Sequence, residues 1–143
     1  MSLFSVFGIA ATALTAQTVR MNTTASNMAN ANSASSSIGS TYRAREPVFS
    51  AILDQTDGFG ADDTAAAGVQ VDGIVESQAP LRREYQPGNP LADEQGYVFL
   101  PNVNPVEEMA NMISASRTYQ TNIEIMDASK QMLTRTLSLG QTQ

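Results

Sequence analysis

Three pairs of adjacent carboxylates, Asp62-Asp63, Asp93-Glu94 and Glu107-Glu108, are the residues of this 143-residue chain that could do acid–base or metal chemistry. Neighbouring side chains diverge on a helix or strand, and all three pairs fall in loops or at a helix start. They read as solvated surface charge. The run "DQTDGFGADD" is Asp-rich but lacks the alternating ligand order of a calcium loop. Gly58 and Gly60 give G-x-G without a third glycine or a following helix, and no Walker-type lysine loop occurs. There is no His and no Cys, which removes Ser-His and Cys-His nucleophiles and the usual zinc ligand sets. The methionines, set at heptad spacing, read as packing material rather than metal or haem ligands. The expectation is a protein that is not an enzyme and takes no cofactor.

Composition points the same way. Charged residues make up 15% of the chain and Trp is absent, the balance being filled by small uncharged side chains. Such a surface suits close packing against other chains better than free solvation. The net charge of −6 belongs to the middle: residues 41–104 carry four arginines against ten acids, while both ends are near neutral. An acidic chain whose densest basic feature is Arg82-Arg83 is not expected to bind nucleic acid. No run of eighteen apolar residues occurs, so no membrane span is expected. "LFSVFGIAATALTA" resembles the apolar core of a secretory signal, but no Lys or Arg precedes it and Thr12 and Thr15 interrupt it. Its apolar spacing also continues well beyond any cleavage site, so an uncleaved helix is expected.

Phe7, Leu14, Met21 and Met28 recur every seven residues, with Leu3, Ala11 and Ala25 on the same face and Thr18 the polar exception. This predicts an amphipathic helix from Leu3 to about Ala31, roughly 40–45 Å long. Its many threonines are mediocre helix formers, so partners must supply much of its order. Small residues at Ala10, Ala13, Ala16 and Ala29 would let further helices approach closely.

The C-terminal segment repeats the pattern. Pro105 opens it, Glu107 and Glu108 suit the positive end of the helix dipole, and Gly140 is a stop signal. Met112, Tyr119, Met126 and Leu133 lie seven apart, flanked by Met109, Ser116, Ile123, Lys130 and Leu137. A helix of about 35 residues is long for one that merely covers the core of a small domain.

Between these arms the period changes. "EPVFSAIL", "GVQVDGIVES" and "PLRREY" read as short strands, "TDGFGADDTAAAG" (56–68) as a mobile loop, and "PGNP" as a turn with Gly88 available for positive φ. The predicted fold is mainly α with a small β-rich middle, its long terminal helices pairing as an antiparallel coiled coil. The expected organisation is a helix over 1–33, a Ser-rich connector with a β-rich lobe over 34–104, and a helix over 105–143.

"ASNMANANS" resembles the Ala-Asn-x-x-Asn motif of the bacterial flagellar axial proteins, the family of rod, hook and hook-associated subunits. "PGNPLADEQGYV", "PNV" and "SASRTYQ" narrow the likeness, which spans nearly the whole chain, to a short proximal-rod subunit. The motif residues carried over are Ala25, Asn27, Ala29 and Asn30, with Tyr42 and Arg43 after them. The resemblance implies a non-enzymatic subunit of the shaft that carries motor torque across the periplasm. It further implies export by the flagellar type III apparatus without a cleaved signal. Assembly would be with copies of itself and with FlgB, FlgF, FlgG and FliE, the terminal helices forming an inner tube around the export channel. Another short axial subunit of the FlgB type and a cytoplasmic coiled-coil adaptor are the alternative readings.

Overall fold

The computed structural model describes residues 3–54 and 65–140. Two long helices, α1 (Leu3–Asn30) and α2 (Pro105–Gly140), enclose four strands in sequence: β1 (Arg45–Asp54), β2 (Ala65–Glu76), β3 (Arg82–Tyr85) and β4 (Tyr97–Leu100). The protein is mainly α with a small β part. Most of the expected loop 56–68 lies outside the described residues, as do Asp62 and Asp63; its last residues, from Ala65, already belong to β2.

The hydroxyls on both helices turn back onto the helix itself. Thr15, Thr18 and Thr23 donate to the carbonyls of Ala11, Leu14 and Val19, four residues back. Thr118, Thr121, Ser129, Thr134 and Thr136 do the same on α2. Each bond satisfies a polar group locally and leaves a methyl-rich, uncharged surface. α2 starts on a side-chain cap: Asn104 Oδ1 accepts from Val106 N at 3.1 Å, with Pro105 in the first helical position.

The two helices run antiparallel. Arg20 Nη2 donates to Asn111 Oδ1 (3.2 Å) while Asn27, further along α1, reaches back to Glu108 (3.1 Å). Among the described helices and strands α1 is the one whose backbone runs close along α2. The buried residues of α2 are Ala115 and Ser129, two heptads apart; those of α1, which packs on the β1–β2 hairpin as well as on α2, are Ala10, Ala16, Thr23, Thr24 and Asn27. The packed face of α1 is therefore small and polar. It lies about a third of a turn from the expected Phe7/Leu14/Met21/Met28 stripe. Side chains this small let the two backbones come close, and the large apolar groups are displaced to the margins of the seam.

β1 and β2 form a long antiparallel hairpin in register from Arg45–Glu76 to Asp54–Ala65, shifting between Val48 and Phe49 and again between Ile52 and Leu53. Both shifts are one-residue bulges on β2, which bend the hairpin. It lies along α1, where Thr12 Oγ1 accepts from Val69 N at 3.2 Å. A Cβ on Gly68 would meet that hydroxyl at 2.7 Å, so this approach requires glycine.

β3 and β4 form a second, two-stranded sheet. Strand β4 was not expected from sequence; Val98 and Leu100 alternate inward and are buried with Pro101 and Val103. β3 is exposed along its length, so the partial alternation of Leu81, Arg83 and Tyr85 does not mark a buried face. The positive-φ turn glycine is Gly96 (φ +81°) rather than Gly88, and it faces the Tyr85 ring. The Ser-rich connector is laid against β4: Ser35 and Phe99 exchange both backbone hydrogen bonds, at 2.9 and 3.0 Å. Ser35, Ser37 and Ser40 then bond one another, and Thr41 Oγ1 closes the turn on Ser37 O at 2.6 Å.

Candidate assembly site

The core of the molecule gathers where the C-terminal end of α1, the connector and the start of α2 meet. Ala31, Ala44 and Val103 pack there, with Tyr42 against them. At its centre is the motif residue Asn27, 1% exposed. Its Nδ2 donates to Arg45 O at 2.9 Å and to Glu108 Oε1 at 3.1 Å. Its Oδ1 accepts from Arg45 N and from the Tyr42 hydroxyl, both at 2.9 Å. The amide thus uses its full capacity of two donors and two acceptor sites.

Asn30, the last residue of α1, returns its amide to Ser26 O at 2.8 Å, and Ser33 covers the Asn30 carbonyl. Ala25 and Ala29 are exposed on the outer side of the same turns. Arg43 Nη1 donates to the carbonyls of Ser77 and Ala79 and fastens the end of the β1–β2 hairpin. Asn102 adds to this fastening: its Oδ1 accepts from Ala44 N at 2.8 Å and its Nδ2 donates to Ala79 O at 3.0 Å.

Two of the carboxylates read as solvated have structural partners instead. Asp93 accepts from Gln95 N and Tyr97 N and lies 3.7 Å from Arg83, whose guanidinium stacks on Tyr97. Glu108 sits in the polar cleft between α1, β1 and α2. Burial raises its carboxyl above the ordinary range, against the hydrogen bonds of Asn27 and Thr24; the charges of Glu107 and Glu46 raise it further. A raised folded value means the folded chain holds this proton more tightly than the unfolded chain. Stability from Glu108 is then full below pH ~4.5 and lost as pH climbs through the folded value. Glu108→Gln keeps an acceptor for Asn27 and removes the charge. It should raise the melting temperature at pH 7, with the difference shrinking to nothing near pH 4. A variant melting below wild type at pH 7 would contradict this.

The expected seam residues divide into two groups. Leu14, Met21, Met112, Tyr119, Met126 and Leu133 are half-buried beside the helix–helix seam. Phe7, Met28, Met109, Ile123 and Leu137 are exposed, and the Leu3 side chain lies outside the described residues. Val106, Ile113, Ile125 and Met132 are exposed too, so α2 carries apolar groups well outside the face it gives to α1. Soluble monomers rarely leave so many large apolar side chains in water along one element. Asn102, Asp93 and Glu108 are the residues whose structural part sequence reasoning missed. Asn102 had a local signal, an Asn between Pro101 and Val103 just ahead of a helix, but nothing that named its partners.

A pair of long terminal helices, a motif asparagine between them and a small lobe fit the class of flagellar axial proteins. In agreement, residues 94–139 match the family model described as flagellar basal body rod FlgEFG protein C-terminal. Relatives over the full length are more specific. The chain is 50% identical to flagellar basal-body rod protein FlgC of Salmonella typhimurium strain LT2, over 99% of this chain and 100% of the relative. It is 48% identical to FlgC of Escherichia coli O6:H1 over the same shares. The FlgC of Borreliella burgdorferi is 36% identical, over 99% of each chain. The chain belongs to the FlgC family of flagellar basal-body rod proteins.

Proposed function

We propose that this protein is a structural subunit of the proximal rod of the bacterial flagellar basal body, in the periplasm. Its terminal helices pair as an antiparallel coiled coil and polymerise into an inner tube that encloses the export channel and transmits motor torque. On this reading residues 1–33 and 105–143 are the tube domain and 34–104 an outer connector and lobe. The partners are copies of itself, FlgB, FlgF, FlgG and FliE, reached after export through the flagellar type III apparatus without a cleaved signal.

One observation carries the proposal beyond family membership. The seam between α1 and α2 is already filled by small residues, yet both helices still expose large apolar groups such as Phe7, Met28, Met109 and Ile113. Those groups gain by burial only against other chains. Among the described residues no helix is long and apolar enough to cross a membrane, so these faces are not those of a helical membrane span.

Deleting residues 1–30 tests the reading: both secretion and rod assembly should be lost. A chain still secreted and built into rods without them would sink it. The free chain should also show less helix by circular dichroism than the 28 residues of α1 and 36 of α2 would give, since helix ends that lack their covering partners fray. Full helicity at micromolar concentration without self-association would count against it.

A further inference from the structure

Asn27 does more than fill a buried position. By accepting from Arg45 N and donating to Arg45 O, its side-chain amide pairs with β1 as the peptide group of a third strand would, on the edge opposite Glu76. Its remaining donor and acceptor go to two other segments, Glu108 in the first turn of α2 and Tyr42 at the end of the connector. One side chain therefore joins four parts of the fold: α1, the connector, the hairpin and α2.

We infer that Asn27 is a latch that makes docking of the β1–β2 hairpin on α1 conditional on the pairing of α1 with α2, within a single chain. When α2 closes over α1 it strips water from the Asn27 amide. That desolvation is offset only if Arg45 and Tyr42 are already in place to accept and donate. Conversely, a hairpin seated on Asn27 without α2 leaves one Nδ2 proton to water in place of the Glu108 carboxylate and forgoes the bond to a charged acceptor. The half-closed state with α2 on and the hairpin off is therefore the costly one, and the hairpin is held more firmly once α2 is in place. The contact between Thr12 and Val69, at the other end of the hairpin, involves no residue of α2 and should not share this coupling.

The latch fixes where the lobe sits relative to the helix pair before any neighbour arrives. Alone, it also predicts where order in the free chain concentrates: around residues 20–45 and 97–111, where the core lies, rather than at the far ends of α1 and α2.

Hydrogen exchange of the full-length chain at neutral pH tests this independently of secretion or motility. In wild type the Arg45 amide and the first backbone-bonded amides of α2 (108–111) should be protected together. Asn27→Ala should speed exchange at both more than tenfold. Glu108→Ala, which removes the acceptor of Asn27 on α2 and neither partner of the Asn27–Arg45 bonds, should speed the Arg45 amide severalfold, whereas Thr12→Val should speed Val69 and leave 108–111 unchanged. Asn27→Asp should act like the alanine variant, because a carboxylate can donate neither to Glu108 nor to the Arg45 carbonyl and repels both. In Asn27→Asp/Glu108→Gln the bond to α2 can form again with the donor on the other side, but the Arg45 carbonyl stays without its donor, so exchange should stay fast at Arg45 and at 108–111 alike. The inference fails if wild type is unprotected at Arg45, if Glu108→Ala leaves Arg45 unchanged, or if the double variant protects 108–111 as wild type does while Arg45 stays fast.

Discussion

Replacing Met109 and Ile113 together by lysine is expected to abolish rod assembly and motility in a strain lacking its own copy, while the free chain melts within about 2 °C of wild type. Both side chains are 53% exposed, on a face of α2 that turns away from α1, and Val106 beside them is 75% exposed. Nothing within the chain depends on them, so a lysine there reaches solvent without disturbing the fold. In an assembled tube the same positions would meet neighbouring subunits. Burying the exposed half of two such side chains contributes roughly 0.8–1.5 kcal/mol each, and a lysine in their place adds a desolvation cost on top. The apolar loss alone, about 1.5–3 kcal/mol per subunit, is a factor of about 10 to 10² in association at 1.4 kcal/mol per decade, and it recurs at every subunit of the rod. Swimming in soft agar and electron microscopy of isolated basal bodies check it. Normal rods would mean that this face is not an assembly surface.

The second large effect concerns the seam itself. Ala115 is fully buried, and among the described helices and strands α1 is the one whose backbone runs close along α2. Ala115→Leu must push the helices apart or force the new side chain into a strained rotamer, a cost of about 3 kcal/mol. For a chain of this length that lowers the melting temperature by about 10 °C. The separation should also break the Arg20–Asn111 and Asn27–Glu108 bonds that flank it. Ala115→Ser, which puts the residue type of Ser129 at an equivalent place two heptads away, should cost little. Equal melting of the leucine variant and wild type would show that the helices are not closely apposed at this point.

The two arms were legible because their signals are local and repeated. Heptad spacing, Pro105, the acids at 107 and 108 and Gly140 set the type and extent of both helices within a residue or two. Seven-residue spacing did not tell which residues are fully buried. Those are small or polar (Ala10, Ala16, Thr23, Thr24 and Asn27 on α1, Ala115 and Ser129 on α2), while Leu14, Met21, Met112, Tyr119, Met126 and Leu133 are half-buried. Phe7, Met28, Met109 and Ile123 of the same spacing stay exposed.

Asn27 was singled out by its motif, but its partners stand 15, 18 and 81 residues away, at Tyr42, Arg45 and Glu108. No local rule joins positions at such separations: the turn of the connector brings Tyr42 and Arg45 to Asn27, and the antiparallel return of α2 brings Glu108. Glu108 read as surface charge for the same reason, since its neighbours in sequence are those of an ordinary first turn. Strand β4 was hidden by its brevity: "YVFL" is four residues between Gly96 and Pro101, and it becomes a strand by pairing with β3 on one edge and Ser35 on the other. The Ser-rich connector carried turn signals without a partner, and β4 is the partner that orders it.

The central claim is that the paired terminal helices, through the apolar groups they leave uncovered, are the part of this chain that builds the rod. A density map of basal bodies isolated from cells carrying this protein tests it most directly. The account predicts α1 and α2 in the inner wall, with Phe7, Met28, Met109 and Ile113 against neighbouring subunits and the β1–β2 hairpin outside. A map in which the lobe makes the subunit contacts, and those four side chains face solvent, would contradict it.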